Sequence, residues 1–127
     1  MDVRLSVLLK RNIDTIEEID HKNKAKTVSL ALERYQRAIT EQITDLRSAN
    51  PFVSIEDNVY NLLAAFSPAF RARSERPIDP TTHIDEIDTA WINFMNFFSD
   101  NGLRVNVERY VPSAGDSFYR IYVSLID

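Results

Sequence analysis

Residues 84–110 read IDEIDTAWINFMNFFSDNGLRVNVERY, and the change of rhythm inside this stretch decides the fold. Ile84, Ile87, Ala90, Trp91, Phe94, Met95, Phe97 and Phe98 recur at three- and four-residue spacing. On a wheel of 100° per residue they share one arc of about 160°, the signature of an amphipathic helix. Gly102 follows directly and suits the left-handed position that closes a helix. Leu103, Val105 and Val107 then alternate with Arg104, Asn106 and Glu108, which is the two-residue period of a strand. A helix running into a strand within one core makes the chain α+β.

Downstream, Pro112-Ser113-Ala114-Gly115-Asp116 is a turn, and alternation resumes with Tyr119, Ile121, Val123 and Leu125. The C-terminus is therefore expected to be an antiparallel β-hairpin. Its other face carries Phe118, Arg120 and Tyr122, unusually aromatic for a surface in water. A lone hairpin is marginal, so a third strand from the N-terminus or an edge contact with another chain is expected.

Upstream, Thr81 or Thr82 caps the long helix, and Arg76-Pro77-Ile78-Asp79-Pro80 is an extended connector. Ser67-Pro68 opens a short turn through Phe70 to Arg73, with a capping serine followed by proline at the first helical position. Ser54 is expected to cap a middle helix whose stripe is Ile55, Val59, Leu62, Leu63 and Phe66. Asn50-Pro51 ends the helix before it, because a residue preceding proline leaves the helical region.

No glycine or proline occurs between Met1 and Asn50, so that whole stretch can be helical. Leu5, Leu9, Ile13, Ile16 and Ile19 form one stripe; Val28, Leu32, Tyr35, Ile39, Ile43 and Leu46 form another. On a continuous helix these point roughly 140° apart. One core cannot cover both, so a break is expected in Asp20-His21-Lys22-Asn23-Lys24, giving a helical hairpin. One long helix is the alternative, and an alternating strand through Val3, Leu5, Val7 and Leu9 a lesser one. The expected architecture is one domain, 1–127, with about four helices: an N-terminal helical hairpin, a middle helix and a long amphipathic fourth helix, followed by the C-terminal β-hairpin.

The 127 residues suit a single core without staples, with 44% hydrophobic and 27% charged residues. Two glycines in the whole chain exclude glycine-rich phosphate loops and dinucleotide fingerprints, which need several close together. Cysteine is absent, which removes disulfides, thiolate metal sites and cysteine nucleophiles. The start, Met1-Asp2-Val3-Arg4-Leu5, lacks the apolar core of a secretory signal, and a cytoplasmic protein with no membrane association is expected.

Charge is uneven. Residues 77–102 hold Asp79, Asp85, Glu86, Asp88 and Asp100 with no lysine or arginine, and the other segments nearly balance to give the net −4. A helix followed by a hairpin invites a winged-helix reading, but a duplex-binding helix needs cations for phosphates, and this one carries acids. Duplex DNA is therefore not an expected partner. Arg71, Arg73 and Arg76, like Lys22, Lys24 and Lys26, read as solvated surface.

Three sets of residues deserve a chemical hearing. Glu18-X-X-His21 has the spacing used in di-iron bundles, but only one copy is present, and surface pairing of Glu17 with His21 is the plainer account. His83, Asp85, Glu86 and Asp88, together with Glu17 and Asp20, supply the carboxylates of a small metal-dependent nucleotide or phosphoester hydrolase. Compensation of the helix dipole already explains Asp85 and Glu86, so neither a metal nor any other cofactor is expected. Tyr110, Tyr119 and Tyr122 with Arg109 and Arg120 could stack single-stranded bases, yet arginine and aromatic residues on a sheet more often form a protein interface.

The expectation is a small, acidic, non-enzymatic protein-binding module, of the inhibitor, adaptor or immunity type, engaging a basic partner surface. Its expected contact residues are Asp85, Glu86, Asp88, Arg109, Phe118, Arg120 and Tyr122. The hydrolase and the single-strand nucleic-acid binder are the alternatives. Phe118, Tyr122, Ile126 and Ile92 leave surplus apolar surface, for which a homodimer is expected.

Overall fold

The computed structural model describes residues 2–72 and 86–126. Among the described residues the order of elements is α1 (Asp2–Thr44), β1 (Phe52–Ser54), α2 (Asp57–Phe66), α3 (Pro68–Arg71), α4 (Glu86–Asp100), β2 (Leu103–Tyr110) and β3 (Phe118–Leu125). The class is α+β, with four helices and an antiparallel sheet among these residues, and no helix there is long and apolar enough to cross a membrane. The connector and the Thr81 or Thr82 cap lie outside the described residues, as do Arg73, Arg76, His83, Ile84 and Asp85.

The helical hairpin expected at the N-terminus does not form. A single helix of 43 residues, about 65 Å at 1.5 Å per residue, runs through the polar stretch. Nothing there interrupts helical hydrogen bonding. Two i,i+4 ion pairs, Glu18–Lys22 at 3.4 Å and Asp20–Lys24 at 2.9 Å, support the junction. The face mismatch is met differently: Val28, Leu32, Tyr35 and Ile39 are buried, while Leu5, Leu9, Ile13, Ile16 and Ile19 are exposed.

The helix stops at Thr44, earlier than Asn50-Pro51. Leu46 takes φ +55°, while Arg47 N–H donates to Gln42 O (3.0 Å) and Leu46 N–H to Ile43 O (3.3 Å). This is a Schellman end built on leucine rather than glycine. The chain then extends into β1, so Ser54 lies in a strand and Glu56 takes the cap position of α2, without a side-chain cap bond. Gln42 guides this passage: its Nε2 donates to Phe52 O (2.7 Å) and its Oε1 accepts from Phe52 N–H (3.2 Å). One side-chain amide thus pairs with β1 as a neighbouring strand would.

β3 is the centre of the sheet, in the order β1-β3-β2. The third strand therefore comes from residues 52–54 and not from the N-terminus, with Phe52 opposite Tyr122 and Ser54 opposite Arg120. The hairpin pairs Leu103 with Leu125 through to Tyr110 with Phe118. Gly102 takes φ +77°, as its place after the helix requires.

One face of the sheet supplies Val105, Ile121 and Val123 to the core; α4 supplies Ile87, Trp91, Phe94 and Phe98, and α1 supplies Val28, Leu32, Tyr35 and Ile39. The rings of Phe70, Trp91, Phe94 and Phe98 form a chain of contacts, each with centroids 5.0–5.3 Å apart. Burying an aromatic side chain of this kind contributes about 1.5–3 kcal/mol, so this row is a main source of cohesion. Ser67 caps α3 as expected, its hydroxyl accepting from Phe70 N–H (3.1 Å) with Pro68 at the first helical position.

Candidate functional site

Strand parity places the candidate contact residues on two different faces. Phe118, Arg120 and Tyr122 alternate onto the solvent side of β3, as their positions predict. The register adds Phe52 from β1 and Glu108 and Tyr110 from β2 beside them. Arg109 is one residue out of phase and stands with its partner Tyr119 on the other side. It is not part of the same surface: its Nε and Nη2 donate to Ser117 Oγ at 3.3 and 3.0 Å. There it borders a cleft of about 250 Å³ lined by Tyr60, Phe70, Arg71, Val107 and Tyr119.

Arg120 organises the solvent face. Its guanidinium carbon lies 4.8 Å from the Tyr110 ring centroid, 5.3 Å from Phe52 and 5.8 Å from Tyr122. Glu108, directly across the strand pair, accepts from Arg120 Nε at 2.6 Å and forms an ion pair with it. Tyr110 and Phe118 close the cluster with ring centroids 5.2 Å apart. The result is a half-exposed platform of four rings, three of them around one cation whose charge is already met and the fourth, Phe118, against Tyr110. Stacking on aromatic faces and pairing with a carboxylate both suit the planar guanidinium, which holds these side chains in one arrangement.

The acidic contact residues fare differently. Glu86 is exposed at the start of α4. Asp85 is outside the described residues. Asp88 is a correction: it is 2% exposed and points into the protein, where its Oδ1 accepts from Ser67 Oγ (2.6 Å) and Ala69 N–H (3.0 Å). It ties the start of α3 to α4, so it is a structural cap and not a rim carboxylate. The same fact separates the proposed metal-site carboxylates, because Glu17 and Asp20 lie on the exposed half of α1. Among the described residues no three His, Cys, Asp or Glu side chains gather to hold a metal ion. His21 packs its ring edge against Phe66, with centroids 5.6 Å apart.

Tyr110, named among the hairpin aromatics but not among the expected contact residues, belongs to the platform, and Phe52 was not anticipated at all. Tyr110 was within reach, since it shares parity with Glu108 on the strand. Phe52 carried no signal, because a three-residue strand is too short for alternation to show.

Two tyrosines are perturbed. Tyr60 stacks on Tyr119, with ring centroids 3.8 Å apart. Burial, reinforced by the Tyr119 hydroxyl, pushes Tyr60 up to about 12. Burial also raises Tyr35, whose hydroxyl oxygen accepts from Glu56 N–H at 3.0 Å. Both arrangements favour neutral phenols and are structural. Comparison with known protein families, characterised proteins and solved structures yields no match for this chain.

Proposed function

We propose that the chain is a non-enzymatic protein-interaction module that presents the aromatic face of its sheet to a partner protein. The observation carrying this reading is the Arg120 cluster: Phe52, Tyr110 and Tyr122 held on a solvent-facing sheet around a guanidinium that Glu108 has already neutralised, with Phe118 packed on Tyr110. Aromatic residues and arginine dominate the energetic centres of protein interfaces. A cation paired in this way has little left for phosphate, which favours protein over single-stranded nucleic acid. The net charge of −4 and the exposed Glu86 steer encounter toward a basic partner surface. A cytoplasmic setting, consistent with the absence of cysteine, completes the proposal.

The test places a photo-crosslinking amino acid at Tyr110 or Phe52, and as a control at Glu33 on the exposed side of α1. A discrete protein adduct from the sheet positions, absent from Glu33 and lost with Arg120→Ala, supports the reading. Adducts that do not distinguish the positions, or that survive Arg120→Ala, overturn it. Salt-sensitive binding of a labelled single-stranded oligonucleotide, lost with Tyr110→Ala, would assign the face to nucleic acid instead.

A further inference from the structure

The first half of α1 leaves the domain. Every residue from 4 to 20 is exposed, and contact with the body begins where His21 and Lys24 meet Phe66. This arm is about 25 Å long at 1.5 Å per residue. It shows Leu5 (66% exposed), Leu8, Leu9 (60%), Ile13, Ile16 (65%) and Ile19 (54%) on one side. A contiguous stripe of six large apolar side chains left in water marks an interaction surface, so the arm asks for a companion.

We propose that the companion is the same arm of a second copy, packed antiparallel about a two-fold axis at Asn12. The pattern of residues carries the assignment. Counting outward from Asn12, Leu5 and Ile19 stand seven residues to either side, and Leu8 and Ile16 four; Leu9 faces Thr15 at three. The apolar stripe is thus nearly palindromic, which an antiparallel two-fold pair requires and a foreign partner does not. Ile13, mirrored by Arg11, widens the stripe on one side.

The charges are antisymmetric about the same point. Arg4 mirrors Asp20, and Lys10 mirrors Asp14. Residues 4–11 carry Arg4, Lys10 and Arg11, whereas residues 14–20 carry Asp14, Glu17, Glu18 and Asp20. A parallel pair would set like charge against like along its whole length; the antiparallel pair sets the basic end of each arm against the acidic end of the other. The helix dipoles oppose in the same sense. Asn12 sits within the stripe, on the symmetry axis, where two carboxamides can each donate and accept. Register slips of four or seven residues would bury each against leucine or isoleucine, so this residue favours the central alignment, as a single polar residue does in coiled coils. The inference is independent of the sheet-face reading.

The chain has no cysteine, so single cysteines report geometry cleanly in the full-length protein. Under mild oxidation Asn12→Cys should form a disulfide-linked dimer, since at the axis the two Cα atoms approach within bridging distance, under about 7 Å. Leu5→Cys and Ile19→Cys should each fail to link alone yet link to one another when mixed. Sedimentation across the micromolar range should show a concentration-dependent dimer. Leu9→Asp with Ile16→Asp should leave a monomer whose Trp91 emission is unchanged, because the arm lies outside the core. Sedimentation as a monomer throughout the range, self-linking of Leu5→Cys, or a dimer that survives the double aspartate variant would each overturn the proposal.

Discussion

Asp88 gives the sharpest test of how the acidic segment is used. Replacing it with alanine removes the acceptor shared by the Ser67 hydroxyl and the Ala69 N–H. The backbone N–H cannot turn elsewhere, and a donor left unpaired in the interior costs about 1–3 kcal/mol. The Ser67 hydroxyl can rotate and loses less, but it also caps α3, so its misplacement loosens the seat of Phe70 against Trp91. Together these give a loss of about 3 kcal/mol, a large share of the ~5–15 kcal/mol that a typical domain has in hand. In urea that lowers the midpoint by roughly 1.5–2 M, and on heating it lowers Tm by about 10 °C. Trp91, the single tryptophan, lies fully buried one turn along α4 from Asp88 and reports unfolding directly. Asp88→Asn keeps an acceptor in place and should lose no more than about 1 kcal/mol. Equal losses for the two variants, or an alanine variant within 1 kcal/mol of the parent, would refute the capping role and return Asp88 to the surface.

Three further outcomes follow from particular contacts. Leu46→Gly should raise stability by about 0.5–1 kcal/mol in urea unfolding, because an exposed leucine at φ +55° pays for a left-handed backbone that glycine adopts freely. Gln42→Ala should cost about 1–2 kcal/mol and speed hydrogen exchange at the Phe52 amide, which loses its side-chain acceptor. Tyr60 is pushed up to about 12, so the folded state holds a proton that an unfolded tyrosine releases near pH 10. The stability it supports is whole below pH 10 and falls as pH rises from there toward 12. Tyr60→Phe should shift alkaline unfolding, followed through Trp91 emission, to higher pH.

The elements that announced themselves are those whose own residues settle their state. The helix around Trp91 and the hairpin after Gly102 each carry an unbroken period and a stop signal, and Ser67-Pro68 combines cap and proline within two residues. Aromatic crowding on the outer sheet face followed from the parity of Phe118, Arg120 and Tyr122 alone. Features fixed by distant partners stayed hidden. β1 exists because Gln42 and β3 offer it hydrogen bonds on either side, and nothing within Phe52–Ser54 says so. Asp88 looked like one more carboxylate on an acidic helix. Only the approach of Ser67 and Ala69, some twenty residues earlier, turns it inward.

The first helix shows a correct pattern leading to a wrong consequence. Two stripes roughly 140° apart were read from the residues, and they are there. A break between them follows only if one core must cover every apolar face. Burial starts only at Ala25, and the leucines and isoleucines before it are left outside. The offset has a use on an unbroken helix. Had the arm's stripe continued the line of Val28, Leu32 and Tyr35, it would face the side on which α4 and the sheet lie, and the body would obstruct an approaching helix. Turned by 140°, it faces away, where a second arm can lie along it unhindered. Under the proposed pairing of arms, the mismatch that argued for a turn at His21 instead keeps the arm's apolar side open to its own copy.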